Sequence, residues 1–127
     1  MSTVTREVLR AENVRVELAH SGAPIVDGTD LTLNAGEVLG LVGESGSGKT
    51  TLSLALFDFA EDGLRRSAGT VEIDGHTVSA KGKAQDARGK LISYVPQNPG
   101  TALNPSMRIV TAIEDVLRTR GGVCLLY

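Results

Sequence analysis

With 127 residues, the chain is long enough for one small domain. A formal charge of −2 excludes the basic footprint of a nucleic-acid binder, and no apolar run approaches the ~18–20 residues that span a bilayer as a helix. A single cysteine, Cys124, excludes an internal disulfide, and with Phe57, Phe59, Tyr94 and Tyr127 as the only aromatics the core must rely on Leu, Val, Ile and Ala.

In chain order, the opening Met-Ser-Thr-Val-Thr-Arg-Glu lacks the apolar stretch of a signal peptide, so a cytoplasmic location is the default expectation. Val8 to Leu18 contains the alternation Val14, Val16, Leu18 of a half-buried strand, and Ser21-Gly22-Ala23-Pro24 signals a turn. Ile25 to Leu33 resumes as strand with Leu31 and Leu33 inward, giving an antiparallel β layer in the first third of the chain. Residues 37–42, Glu-Val-Leu-Gly-Leu-Val, form a short apolar run suited to a buried parallel strand. Residues 50–59 continue as a helix with Leu52, Leu56 and Phe59 on one side, ended by Glu61-Asp62-Gly63.

Between that strand and that helix, residues 43–51 read Gly-Glu-Ser-Gly-Ser-Gly-Lys-Thr-Thr. They satisfy G-x-x-x-x-G-K-[ST] through Gly43, Gly48, Lys49 and Thr50, a pattern met by chance in roughly one chain of this length in a few hundred. Glycines let successive N–H groups converge on one concavity, an anion-binding nest, and the helix that follows adds its positive end. Glu44, Ser45, Gly46, Ser47 and Thr51 complete the cradle, Lys49 reaches β- and γ-phosphates, and the Thr50 hydroxyl ligates Mg²⁺. The competing reading is a Gly/Ser linker that contains Lys-Thr, but linkers are rarely wedged between a buried strand and an apolar helix.

Beyond the helix, Thr70-Val71-Glu72-Ile73 alternates as a strand, Asp74-Gly75 is a hairpin signal and His76-Thr77-Val78 the return. Arg65-Arg66 and the scattered Lys81, Lys83, Arg88 and Lys90 read as solvated loop faces. Residues 80–90 are polar, a loop or short helix, and Leu91 to Val95 is a second short apolar strand. A Pro/Asn/Gly-rich loop spans 96–105, and Met107 to Arg120 has helical spacing at Ile109, Ile113 and Val116/Leu117, stopped by Gly121-Gly122. His20 and His76 stand apart from any ligand cluster, which argues against a metal site built on them, and no catalytic residue can be nominated.

Two segments together resemble one family, the ATP-binding cassette (ABC) ATPases of membrane transporters: Leu39 to Thr51, and Ile92-Ser93-Tyr94-Val95-Pro96-Gln97-Asn98-Pro99-Gly100-Thr101-Ala102-Leu103-Asn104-Pro105. Gln97, 48 residues after Lys49, matches the glutamine that contacts Mg²⁺ and the attacking water in that family. The Gln-Asn-Pro and Leu-Asn-Pro phrases are similar to the dipeptide, oligopeptide and nickel importers. The resemblance implies an α/β phosphate-loop NTPase core preceded by an antiparallel β layer. It also implies ATP and Mg²⁺ as ligands, a second ATPase subunit and transmembrane permease subunits as partners, and a cytoplasmic place on the inner face of the membrane. Where the family carries an aromatic residue that stacks on adenine, this chain has Leu18, Ala19 and His20.

The family's Leu-Ser-Gly-Gly-Gln signature, its Asp-Glu strand and its later histidine do not occur here. Residues 1–120 are accordingly expected to be the N-terminal part of a nucleotide-binding domain, truncated before the helical subdomain is complete, and 121–127 an apolar tail left by truncation or frameshift. The alternative to a working importer subunit is a non-catalytic nucleotide-binding fragment. An unrelated phosphate-loop kinase or GTPase would leave the second segment unexplained.

Overall fold

The computed structural model describes residues 6–78, 90–98, 100 and 103–119. The chain divides into two compact units, Met1–Ala87 and Arg88–Tyr127. The predicted loop or helix over 80–90, apart from Lys90, and the tail with Cys124 lie outside the described residues.

The first unit is built on a four-stranded antiparallel sheet. Its strands are β1 (Glu7–Leu18), β2 (Pro24–Asn34), β3 (Leu64–Ile73) and β4 (His76–Thr77), in the order β2-β1-β3-β4. The central strand β1 buries Leu9 and Ala11, then Val14 and Val16. The parity of its inward positions therefore switches between residues 11 and 14. A strand that kept strict alternation would turn one of these pairs to solvent. A bulge absorbs the extra residue at Asn13, whose φ is 51°, and pairing shifts on both flanks, from Ala11 to Val14 against β2 and from Glu12 to Arg15 against β3. The bulged backbone swings so close to β3 that Gly69 (φ 96°) is the one residue that fits there; a Cβ would lie 2.6 Å from the Asn13 carbonyl oxygen and 2.6 Å from the Val14 Cα. The freed Asn13 N–H donates to Asp30 Oδ1 at 2.7 Å.

The predicted hairpin is present. Asp74 and Gly75 both have positive φ (49° and 77°), as a type I′ turn requires, and Val78 N–H closes the return on the Val71 carbonyl at 2.7 Å. On the sheet face away from the core, Glu17 accepts from Arg65 Nε (2.9 Å) and Nη2 (2.6 Å), and Arg15 lies 3.5 Å from its other oxygen. The Arg65 hydrogen bonds hold the Glu17 carboxyl below its ordinary pKa.

Helix α1 (Lys49–Ala55) lies on the core face and buries Leu52 and Ala55, so it is shorter than predicted and presents Ala55 inward rather than Leu56 and Phe59. The reason is a Schellman-type end: Phe59 N–H donates to the Leu54 carbonyl (3.1 Å) and Asp58 N–H to that of Ala55 (3.0 Å), with Asp58 left-handed at φ 56°.

Three sequence expectations are corrected here. Residues 37–42 form no strand, and Val38 and Val42 are 96% and 94% exposed. A buried parallel strand needs paired neighbours and covered faces, and none of β1 to β4 pairs with this run. Arg65 and Arg66 are not loop residues: β3 begins at Leu64, Arg65 pairs with Glu17, and the Arg66 side chain is nearly buried against Asp58. In the second unit, the predicted strand at 91–95 reduces to a single bridge residue, Ile92.

The second unit's helix α2 (Ile109–Thr119) begins after an Asx turn in which Ser106 N–H donates to Asn104 Oδ1 at 3.0 Å, close to its predicted bounds. Ile109, Val110, Ile113 and Val116 on it are exposed.

Candidate functional site

The glycine loop sits where the sequence puts it, between residues 37–42 and α1. Its far end is fixed by β2. Gly48 caps α1 with φ 88°, and a Cβ there would stand 3.1 Å from the Ile25 carbonyl oxygen and 3.5 Å from Val26 Cγ2. A side chain at this position would meet both a left-handed backbone and a neighbouring strand. At the other end Gly43 faces inward, its position for a Cβ 2.6 Å from Ser47 Oγ. The spacing of the motif is thus a packing statement: the two outer glycines are the points where the loop touches itself and the sheet.

Lys49 folds back over the loop. Its Nζ donates to the Gly43 carbonyl (2.6 Å) and the Glu44 carbonyl (2.7 Å), with Ser47 Oγ at 3.4 Å. The ammonium is therefore held by neutral carbonyl dipoles. Such contacts are weaker than charge-assisted bonds to an anion, so an arriving phosphate can take the lysine from them. Ser47 N–H donates to the Glu44 carbonyl (3.1 Å) and closes the turn through Ser45 and Gly46. Leu52 N–H donates to the Gly48 carbonyl (2.8 Å), the first bond of the helix. Thr50 is exposed at the first turn of α1 and Thr51 is half-buried beside it.

A cleft of about 360 Å³ opens beside the loop, lined among others by Ile25, Val26 and Thr29 of β2, by Leu41, and by Lys49 and Leu52. Its lining combines the Lys49 ammonium and aliphatic side chains with the Asp27 carboxylate, which Arg15 Nη1 meets at 2.5 Å, so an anionic ligand with an apolar body can be taken where Asp27 is offset by Arg15. Ile25, rather than Leu18 or His20, supplies the aliphatic wall. That wall is a feature the sequence reading missed, since Ile25 registered there only as the start of a strand. Gln97 lies in the second unit, in an exposed bend after Pro96. Among the described residues no group of three or more His, Cys, Asp or Glu side chains forms a metal cluster. Among them, too, no helix is long and apolar enough to cross a membrane.

A strand-facing glycine loop, a lysine folded over it and a helix starting at its last glycine make a phosphate loop, and the family match that follows implies a phosphate-loop NTPase fold. The ABC transporter family profile matches residues 26–120, and the chain belongs to that family. It is 39% identical over 114 residues to the nickel import ATP-binding protein NikD of Pseudomonas putida, covering 90% of this chain and 42% of that one. Over 119 residues it is 36% identical to the oligopeptide transport ATP-binding protein OppD of Lactococcus lactis subsp. cremoris, covering 89% and 35%. A putative peptide import ATP-binding protein of Brucella abortus is 39% identical over 100 residues, 77% of this chain and 29% of its own length. The chain spans less than half the length of these relatives.

Proposed function

We propose that the chain forms the ATP-binding part of an ABC importer's ATPase subunit, working on the cytoplasmic face of the membrane with permease subunits and a second ATPase subunit. The observation that carries this reading is the Lys49 ammonium lodged on the Gly43 and Glu44 carbonyls beside the cleft. On binding, Lys49 exchanges those carbonyls for the β- and γ-phosphate oxygens, while the amides from Glu44 to Thr51 converge on the phosphate chain. The aliphatic wall at Ile25 receives the base. Thr50 offers a neutral oxygen donor of the kind Mg²⁺ accepts alongside phosphate and water and would hold it, and Gln97 of the second unit carries the same type of donor. The bound ion would neutralise phosphate charge. The names of the relatives support peptides or nickel as the imported class.

Calorimetric titration with Mg-ATP tests the reading. Lys49→Ala is expected to weaken binding by about 1.5–3 kcal/mol, the scale of a charge-assisted contact. Equal affinity of variant and parent would overturn the assignment of the loop. Phosphate release measured in the same samples separates turnover from binding alone, the second being the behaviour of a non-catalytic nucleotide-binding fragment.

A further inference from the structure

Asp58 and Arg66 form an ion pair at 2.9 Å in which each side chain keeps only 10% of its accessible surface. Two features make the pair unusual. Asp58 occupies the left-handed position that ends α1, where glycine is the unstrained choice. Arg66 Nη1 is buried with no hydrogen-bond partner, while Nη2 serves Asp58 and, at 3.4 Å, the Val78 carbonyl. A strained backbone, two desolvated charges and one unsatisfied donor make a poor way to add stability, and buried pairs of this kind are often replaceable by apolar side chains without loss. What the pair offers instead is position.

The register of the sheet shows which position. Arg66 of β3 stands opposite Val16 of β1, and Val16 stands opposite Val26 of β2. These three residues form one row across the core face, and Val26 Cγ2 is the methyl that approaches Gly48. Two inter-strand steps measure about 9.6 Å, and a seven-residue helix is about 10 Å long. Helix α1 therefore spans the row. Its first end, with the glycine loop, rests on β2, and its last turn is tied to β3 through Asp58 and Arg66. Between those ends Leu52 and Ala55 are its only buried side chains, and apolar contact is non-directional and permits sliding.

We propose that Asp58 and Arg66 are positioning residues: the pair sets where α1 lies along this row and so holds the glycine loop at the spacing that receives phosphate. This rests on the nucleotide-binding reading of the loop. The test sets stability against affinity. Asp58→Gly/Arg66→Met removes both charges and keeps the left-handed turn. Its melting temperature is expected to equal or exceed the parent's, while its affinity for Mg-ATP falls on the order of tenfold, as expected when a binding group is displaced by a distant change. Parent-like affinity in the folded double variant would overturn the proposal.

Hydrogen exchange on Asp58→Asn, which keeps the side-chain shape, gives a second readout that needs no nucleotide. The Ser47 and Leu52 amides are expected to lose protection severalfold more than the Asp74 amide, which donates to the Val8 carbonyl away from the pair. Equal loss at all three sites would mean a purely structural pair. If the parent itself binds no nucleotide, the proposed function falls, and the exchange pattern alone decides whether the pair holds the loop in place.

Discussion

The close approach of Gly69 to the bulge in β1 makes a prediction whose size follows from geometry. Replacing Gly69 with Ala forces a non-glycine residue to φ 96° and sets a methyl 2.6 Å from two backbone atoms of β1. The conformational part costs about 1–2 kcal/mol. The contact part cannot be relieved by a rotamer change, because the atoms met are backbone atoms of Asn13 and Val14, flanked by Glu12 and Arg15, which both pair with β3, and overpacking of this kind costs about 1–3 kcal/mol. The sum, about 2–5 kcal/mol, is a large share of a typical domain stability of about 5–15 kcal/mol. Equilibrium urea denaturation followed by circular dichroism reads it. With a slope of about 2 kcal/mol/M, the midpoint drops by roughly 1–2.5 M. Gly75→Ala is the internal control: it also places Ala at positive φ (77°), but nothing lies within 4 Å of its Cβ. The difference between the two variants isolates the close approach. A Gly69→Ala protein no less stable than Gly75→Ala would refute the account of the bulge.

Two further outcomes are expected. Leu52→Ala should lower stability by about 2–3 kcal/mol, the lower part of the range for buried leucines, because α1 covers only one face of the sheet, and thermal unfolding reads it. Glu17 has a lowered pKa in the folded chain, so its contribution to stability is present above the ordinary carboxylate range and is lost as pH falls through the folded-state value. Glu17→Gln should therefore destabilise at neutral pH and leave a shallower decline on acidification, measured as melting temperature from pH 7 to pH 3 in about half-unit steps. An unchanged slope would show that Arg65 does not discriminate the charged form.

Local signals were readable in the sequence where local chemistry decides the outcome. Asp74-Gly75 had to turn with two positive φ values, and it does. The glycine loop is legible because most of its contacts, such as that of Gly43 with Ser47, fall within the motif, although Gly48 also meets Ile25 and Val26 of β2. Val14 and Val16 announced a buried face, though the odd-to-even switch from Leu9 and Ala11 also encoded the bulge and passed unread. What could not be read depends on distant partners. Arg65-Arg66 looks like a solvated charge pair until β3 aligns with β1, whose Leu18 faces Leu64 across 46 residues of sequence. Only then does one arginine point outward to Glu17 and the other inward to Asp58. The opposite error occurred at 37–42, where apolar composition suggested burial but burial requires neighbouring strands, which the described residues do not supply.

The irregular pairing of β2 and the brevity of β4, the two margins of the sheet, have a consequence for self-association. An outermost strand offers unpaired amides and carbonyls to any passing chain, and this sheet discourages such growth on both sides. On one margin β2 opens with Pro24, which has no N–H to offer, and it carries the acidic Asp27 and Asp30 on either side of the irregularity at Gly28. On the other, β4 is only two residues long and gives an incoming strand little to align with. The same departures from regular pairing that shape the core around α1 thus also make the sheet a poor template for aggregation.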